Sequence, residues 1–180
     1  MDGDIDCNVQ SVFTANSNEF LENKHMAKKL LRKGNDSSEE IRTRNVYVSE
    51  SFKNKWDAML NKFGRKGQSE RDNINSYYRD SIMLIKRGTI GRSGAIEVKH
   101  LEYVPSKGNG RFFECKQKRI AGTNFCPRIF FVNVRGTSNS ILLDVIDKDG
   151  DRIGSSILSA LSTKYKMALM NDYASMYSQN

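Results

Sequence analysis

Two apolar runs in the second half of the chain are separated by a short polar cluster. Ile129, Phe130, Phe131, Val132 and Val134 form the first run; Ile141, Leu142, Leu143, Val145 and Ile146 form the second. Residues 136–139 between them are glycine, threonine, serine and asparagine. This pattern over 128–147 predicts a β-hairpin. Apolar side chains on both faces predict central strands covered on both sides, by helices or a second layer.

Three stretches repeat instead at helical spacing. Phe52, Trp56, Met59, Leu60 and Phe63 share one side of 49–63, with Ser49 opening the helix and Gly64 ending it. Ile74, Tyr77, Tyr78, Ile82 and Ile85 mark a second helix over 69–87. Ile157, Leu161, Tyr165, Leu169 and Met176 mark a third over 155–176, capped by Ser155 or Ser156. Alternation predicts strands over 42–48, 95–104 and 111–119. The stretch TIGRSG at 89–94 lacks the Lys and Ser or Thr of a phosphate-binding loop and reads as a turn. The sum is an α+β fold: a single compact domain over 42–177, whose antiparallel sheet centres on the 128–147 hairpin and is packed by the three helices.

Residues 1–41 read as a flexible N-terminal arm. Its first 16 residues carry Asp2, Asp4 and Asp6 and no basic residue. Over 17–34 a short amphipathic helix is expected, with Phe20, Ala27, Leu30 and Leu31 on one side. Lys24, Lys28, Lys29, Arg32 and Lys33 supply its basic side. Such a helix suits an anionic membrane surface or phosphates; a solvated helix whose late cations suit its dipole accounts for the pattern equally well.

Composition narrows the class. The chain has 180 residues, 38% of them hydrophobic and 28% charged, which fits a soluble globular protein with a real core. A net charge of +8 favours acidic partners: nucleic acid, a ribonucleoprotein or an anionic membrane. Residues 86–119 alone hold nine Lys or Arg against three Asp or Glu. The expected basic surface is Arg65, Lys66, Lys86, Arg87, Arg92, Lys107, Lys116, Lys118 and Arg119.

Three unspaced cysteines, Cys7, Cys115 and Cys126, argue against a disulfide scaffold and for a reducing compartment, cytoplasmic or nuclear. His25 and His100 are scattered with respect to them, so no metal and no cofactor is expected. The DKDGD stretch at 147–151 is out of register for a calcium loop. With Gly150 at the invariant glycine, Val145 and Ser156 would stand at the first and twelfth positions. No G-x-S-x-G, H-E-x-x-H, Walker or dinucleotide motif occurs, so no catalytic residue is assigned and a non-enzymatic role is expected. No apolar run approaches about 18 residues, and the acidic start is unlike a signal peptide.

Short motifs accompany this layout: Trp56-Asp57-Ala58-Met59, Gly64-Arg65-Lys66, Arg135-Gly136-Thr137 and Lys166-Met167-Ala168-Leu169-Met170. The order of a basic arm ahead of an α+β body resembles the matrix proteins of negative-strand RNA viruses, nearest the rhabdovirus type. That resemblance implies a homo-oligomer that binds the nucleocapsid and bridges it to a lipid envelope, in the host cytoplasm and the virion. Lys24, Lys28, Lys29, Arg32 and Lys33 would then touch membrane or nucleocapsid. The P-P-x-Y budding motif of part of that family is absent.

A second pattern spans 44–87. Strand, helix, glycine turn and helix, with Val46, Val48, Phe52, Trp56, Leu60 and Gly64, resemble the ribbon-helix-helix regulators of transcription. In such a dimer paired strands enter the major groove, and Arg44, Asn45 and Tyr47 would face bases. The GRKGQSERD turn is several residues longer than that pattern allows, and the 128–147 and 155–176 elements would lie outside it.

Overall fold

The computed structural model describes residues 43–105, 108 and 110–170, and the backbone of Met176–Ser178. The chain runs β1 (Asn45–Ser49), α1 (Glu50–Phe63), α2 (Gln68–Lys86), β2 (Gly91–Ser93), β3 (Ile96–His100), β4 (Gly110–Lys116), β5 (Pro127–Val134), β6 (Asn139–Asp147), α3 (Ser155–Met170) and β7 (Met176–Ser178). The basic arm helix expected over 17–34 lies outside the described residues.

One seven-stranded sheet has the order β2-β3-β4-β5-β6-β1-β7. Two helices cover one face and a third covers the other. Val46, Val48, Phe113, Cys115, Ile129, Phe131, Leu142 and Val145 point toward Phe52 and Trp56 of α1 and Ile74, Tyr77, Ile82 and Ile85 of α2. Phe112, Phe130, Val132, Ile141 and Leu143 point toward Leu161, Tyr165 and Ala168 of α3. This is why 129–134 and 141–146 carry apolar residues on both faces: each strand serves two cores.

The sheet is mixed, not antiparallel throughout. β5 pairs antiparallel with β4 and β6, but β1 runs parallel to β6, with Val46 opposite Ser140 and Val48 opposite Leu142. Parallel strands require a crossover; here α1, α2 and β2–β5 supply it.

The helix starts follow capping chemistry. Ser49 accepts from the Phe52 N–H at 3.2 Å, and the Gly64 N–H closes α1 on the Leu60 carbonyl at 2.9 Å. Glu70, in the first turn of α2, accepts from the Lys66 N–H at 2.9 Å. α3 starts one residue earlier than a serine cap would set: the Gly154 carbonyl accepts from Ile157 and Leu158.

Three further expectations need correction. The helix expected over 155–176 ends at Met170, and Met176 belongs to β7, which pairs antiparallel with β1 and satisfies that strand's outer edge. The strand expected over 95–104 stops at His100. The glycine loop at 89–94 contains an edge strand: Ser93 pairs with Ile96 across a two-residue turn in which Gly94 has φ +60°. That left-handed backbone is the conformation glycine adopts without strain.

Tyr77 and Cys115 lie together in the α1–α2 core. The Tyr77 hydroxyl donates to the Cys115 carbonyl at 2.8 Å. Burial, then the Glu114 charge, push the Cys115 thiol from its ordinary 9.0 up to about 12; burial foremost raises Tyr77 well above 10.0. An unfolded chain gives up these protons at the ordinary values while the folded chain keeps them. It therefore binds fewer protons above pH 9, and stability falls as pH rises. Urea midpoints are expected to decline from about pH 9, at a slope approaching ~1.4 kcal/mol per pH unit for each group. Cys115→Ala should flatten the decline most between pH 9 and 10, where the thiol contributes more than the tyrosine.

Candidate anion-binding surface

Positive charge is concentrated in the folded body. Residues 43–170 contain 23 Lys or Arg and 12 Asp or Glu, an excess of 11. Residues 1–42 contain six and eight, and are net acidic despite the lysine-rich stretch.

The cations predicted from sequence separate into three groups. Arg65 and Lys66 sit on the α1–α2 turn. Lys86 and Arg87 close α2, Arg92 lies on the edge strand β2, and Lys118 and Arg119 follow β4. Of these, Arg65, Lys66, Arg87, Arg92, Lys118 and Arg119 are exposed, and none forms an ion pair among the described residues. Lys24, Lys28, Lys29, Arg32, Lys33 and Lys107 lie outside the described residues.

Arg87 lines a groove of about 410 Å³ between α2, the β2–β3 turn and the 117–121 loop. Asn73, Ser76, Gln117 and the backbone of Gly94 contribute polar atoms, and Met83, Leu84 and Ile96 contribute apolar ones. Arg92 alternates with the lining residue Ser93 and so faces the other side of the sheet, opposite Glu97, while Lys118 and Arg119 stand between the lining residues Gln117 and Ile120. Cations therefore stand at or beside the groove on two elements, Arg87 at the end of α2 and Lys118 and Arg119 on the loop after β4. Asp80 is its one acidic lining residue, and it accepts a long 3.5 Å hydrogen bond from Ser76.

Lys116 does not belong to this free surface. It bridges Asp151 and Glu97. Burial works against its charge, but the two carboxylates outweigh that and hold the ammonium above its usual value. Asp151 is correspondingly held below the usual carboxylate range by Lys116. Beside it Arg128 and Glu114, 3% and 4% exposed, make a buried ion pair at 2.9 Å.

Asp144 collects two cations. A bulge pairs Phe130 with Asp144 but Phe131 with Leu142, leaving Leu143 as the extra residue. The shift brings Asp144 to Lys164 of α3 at 2.8 Å. Asp144 also lies two residues past the last β1–β6 pair, where the side of β6 is open, and Lys55 of α1 reaches it at 2.7 Å. One carboxylate thereby ties helices on opposite faces. The four aspartates near the 147–151 turn serve separate partners: Asp144 these lysines, Asp147 the Cys126 N–H, Asp149 the Gly150 N–H and Asp151 Lys116. Among the described residues no three His, Cys, Asp or Glu gather as metal ligands. No described helix is long and apolar enough to cross a membrane.

Two residues the basic-surface expectation passed over, Arg44 and Arg111, are brought to one end of the α1–α2 face. Sixty-odd intervening residues leave no spacing signal that could have joined them. The strand that a ribbon-type dimer would pair with a second copy, β1, has β6 on one side and β7 on the other.

No family model and no curated protein matches this sequence, and no solved structure matches the fold.

Proposed function

We propose that this protein is a matrix-like structural protein that self-associates and bridges a ribonucleoprotein to an anionic membrane surface. The body is its nucleic-acid side. The observation that supports this most is the excess of 11 positive charges in 43–170, with Arg65, Lys66, Arg87, Arg92, Lys118 and Arg119 exposed and in no ion pair among the described residues. Exposed cations on several elements suit a phosphate backbone, which they neutralise with release of counterions. Among the described residues no helix protrudes and β1 is paired on both sides, so contact through phosphates fits better than sequence-specific readout. Lys24, Lys28, Lys29, Arg32 and Lys33 would supply the membrane contact, each worth about 1 kcal/mol near an anionic bilayer. Repetition over many copies turns such modest contacts into firm attachment.

The test separates the two sides. Binding to single-stranded RNA should weaken steeply with salt. Replacing Arg87, Arg92, Lys118 and Arg119 together by alanine should reduce the slope of log K against log salt by up to about 3, at about 0.7 per contact. The same variant should still sediment with anionic liposomes, and replacing the five arm cations by alanine should abolish that sedimentation. RNA affinity that ignores salt and the four substitutions overturns the proposal. So does a dimer footprint on one duplex sequence.

A further inference from the structure

Arg44 immediately precedes β1. Its backbone N–H donates to the Lys86 carbonyl at 2.7 Å, which fixes it at the end of α2. Its Nε lies 3.9 Å from where a Cβ on Gly88 would stand. Arg111 is the second residue of β4. Across the sheet from it come Asn133, then Ser140, then Val46. Arg44, two residues ahead of Val46, continues the same face by strand alternation. The two arginines thus approach one patch from strands separated by β5 and β6, with Asn133 and Ser140 between. The Asn133 oxygen accepts from the Ser140 hydroxyl at 2.7 Å, leaving the amide nitrogen of Asn133 as a donor.

Arg44 Nη1 is buried and has no hydrogen-bond partner among the described residues. Neither arginine makes an ion pair among the described residues. Burial, then the Arg111 charge, hold the Arg44 guanidinium below its usual value. Half-buried Arg44, with its orphaned donor, and exposed Arg111 bring two like charges to one patch, an arrangement favourable around an oxyanion. Arginine forks match phosphate oxygens in pairs.

We propose that Arg44 and Arg111 clamp one phosphate group, with the Asn133 amide as a neutral third donor, and that this phosphate belongs to a nucleic-acid backbone. The last clause rests on the function proposed above; the clamp itself does not.

The full-length chain and its R44Q, R111Q and R44Q/R111Q variants would be melted in inorganic phosphate and in chloride at matched ionic strength, and titrated with single-stranded RNA. Phosphate should raise the melting temperature of the parent chain, and each single substitution should remove that rise. The double variant should bind RNA about 10-fold or more weaker, with a salt slope lower by about 1.4, two contacts at about 0.7 each. In chloride R111Q should melt no lower than the parent, because it relieves the repulsion on Arg44; this keeps a folding defect from imitating lost binding. A phosphate response that survives the double substitution overturns the clamp. RNA bound equally by parent and double variant also overturns it and leaves the matrix-like reading standing. A phosphate response lost in the variants, with no RNA bound by the parent, upholds the clamp for free phosphate and overturns its assignment to nucleic acid.

Discussion

Arg128→Met is expected to lower stability by ~3–5 kcal/mol, seen as a large fall in the urea midpoint with little change in slope. The cause is the carboxylate left behind. Glu114 is 3% exposed, on a strand flanked by β3 and β5, with no route to water that keeps its backbone in the sheet. It accepts from Arg128 Nη1 at 2.9 Å, and the Arg128 Nε also donates to the Lys148 carbonyl at 3.2 Å. Methionine fills much of the arginine stem but brings no charge, so Glu114 is stranded. Removing both charges is a different experiment. The double variant E114L/R128M should recover most of the loss, because a buried ion pair gains little over well-packed apolar residues of similar volume. If R128M and the double variant lose the same amount, the pair's charge is not what the site depends on.

Trp56→Ala should cost a comparable ~3–5 kcal/mol for a different reason. The indole is 6% exposed. Its centroid lies 4.7 Å from that of Tyr78 and 6.4 Å from those of Tyr77 and Phe125. It joins α1, α2 and the 120–125 loop in one aromatic cluster, so truncation opens a cavity where three elements meet. Thermal or urea unfolding checks this. Trp56→Phe, which keeps a ring, should lose markedly less. RNA affinity per folded molecule should be unchanged in both, since no basic residue of the groove rim depends on the ring.

The helices were legible because their stripes are complete. Phe52 and Trp56, and Ile74, Tyr77, Ile82 and Ile85, are buried as their spacing demanded. The doubly apolar runs at 129–134 and 141–146 likewise announced strands covered on both faces. Partnership between distant strands was not legible: nothing in NVYVS states that it runs parallel to β6, because strand direction is decided by the crossover and not by local pattern. β2 was hidden because glycine, arginine and serine at an edge are turn residues by composition. The fate of individual cations was hidden too. Lys116 looks in sequence like Lys118, yet one faces Asp151 and Glu97 and the other is exposed. Asp144 reads as a turn aspartate; only the bulge at Leu143 makes it the joint between Lys55 and Lys164. Arg44 and Arg111 become a pair solely through the sheet order.

That sheet order also sets a schedule. The register of Asn45 opposite Asn139 joins residues 94 positions apart, so β1 cannot dock until β6 has been made. A ribosome releasing this chain from its N-terminus exposes Val46, Val48, Phe52 and Trp56 while about a hundred further residues are still being added. Long-range pairing of this kind slows folding and leaves sticky intermediates. Released fragments that end before residue 147 should therefore be chaperone clients, and the full released chain should not.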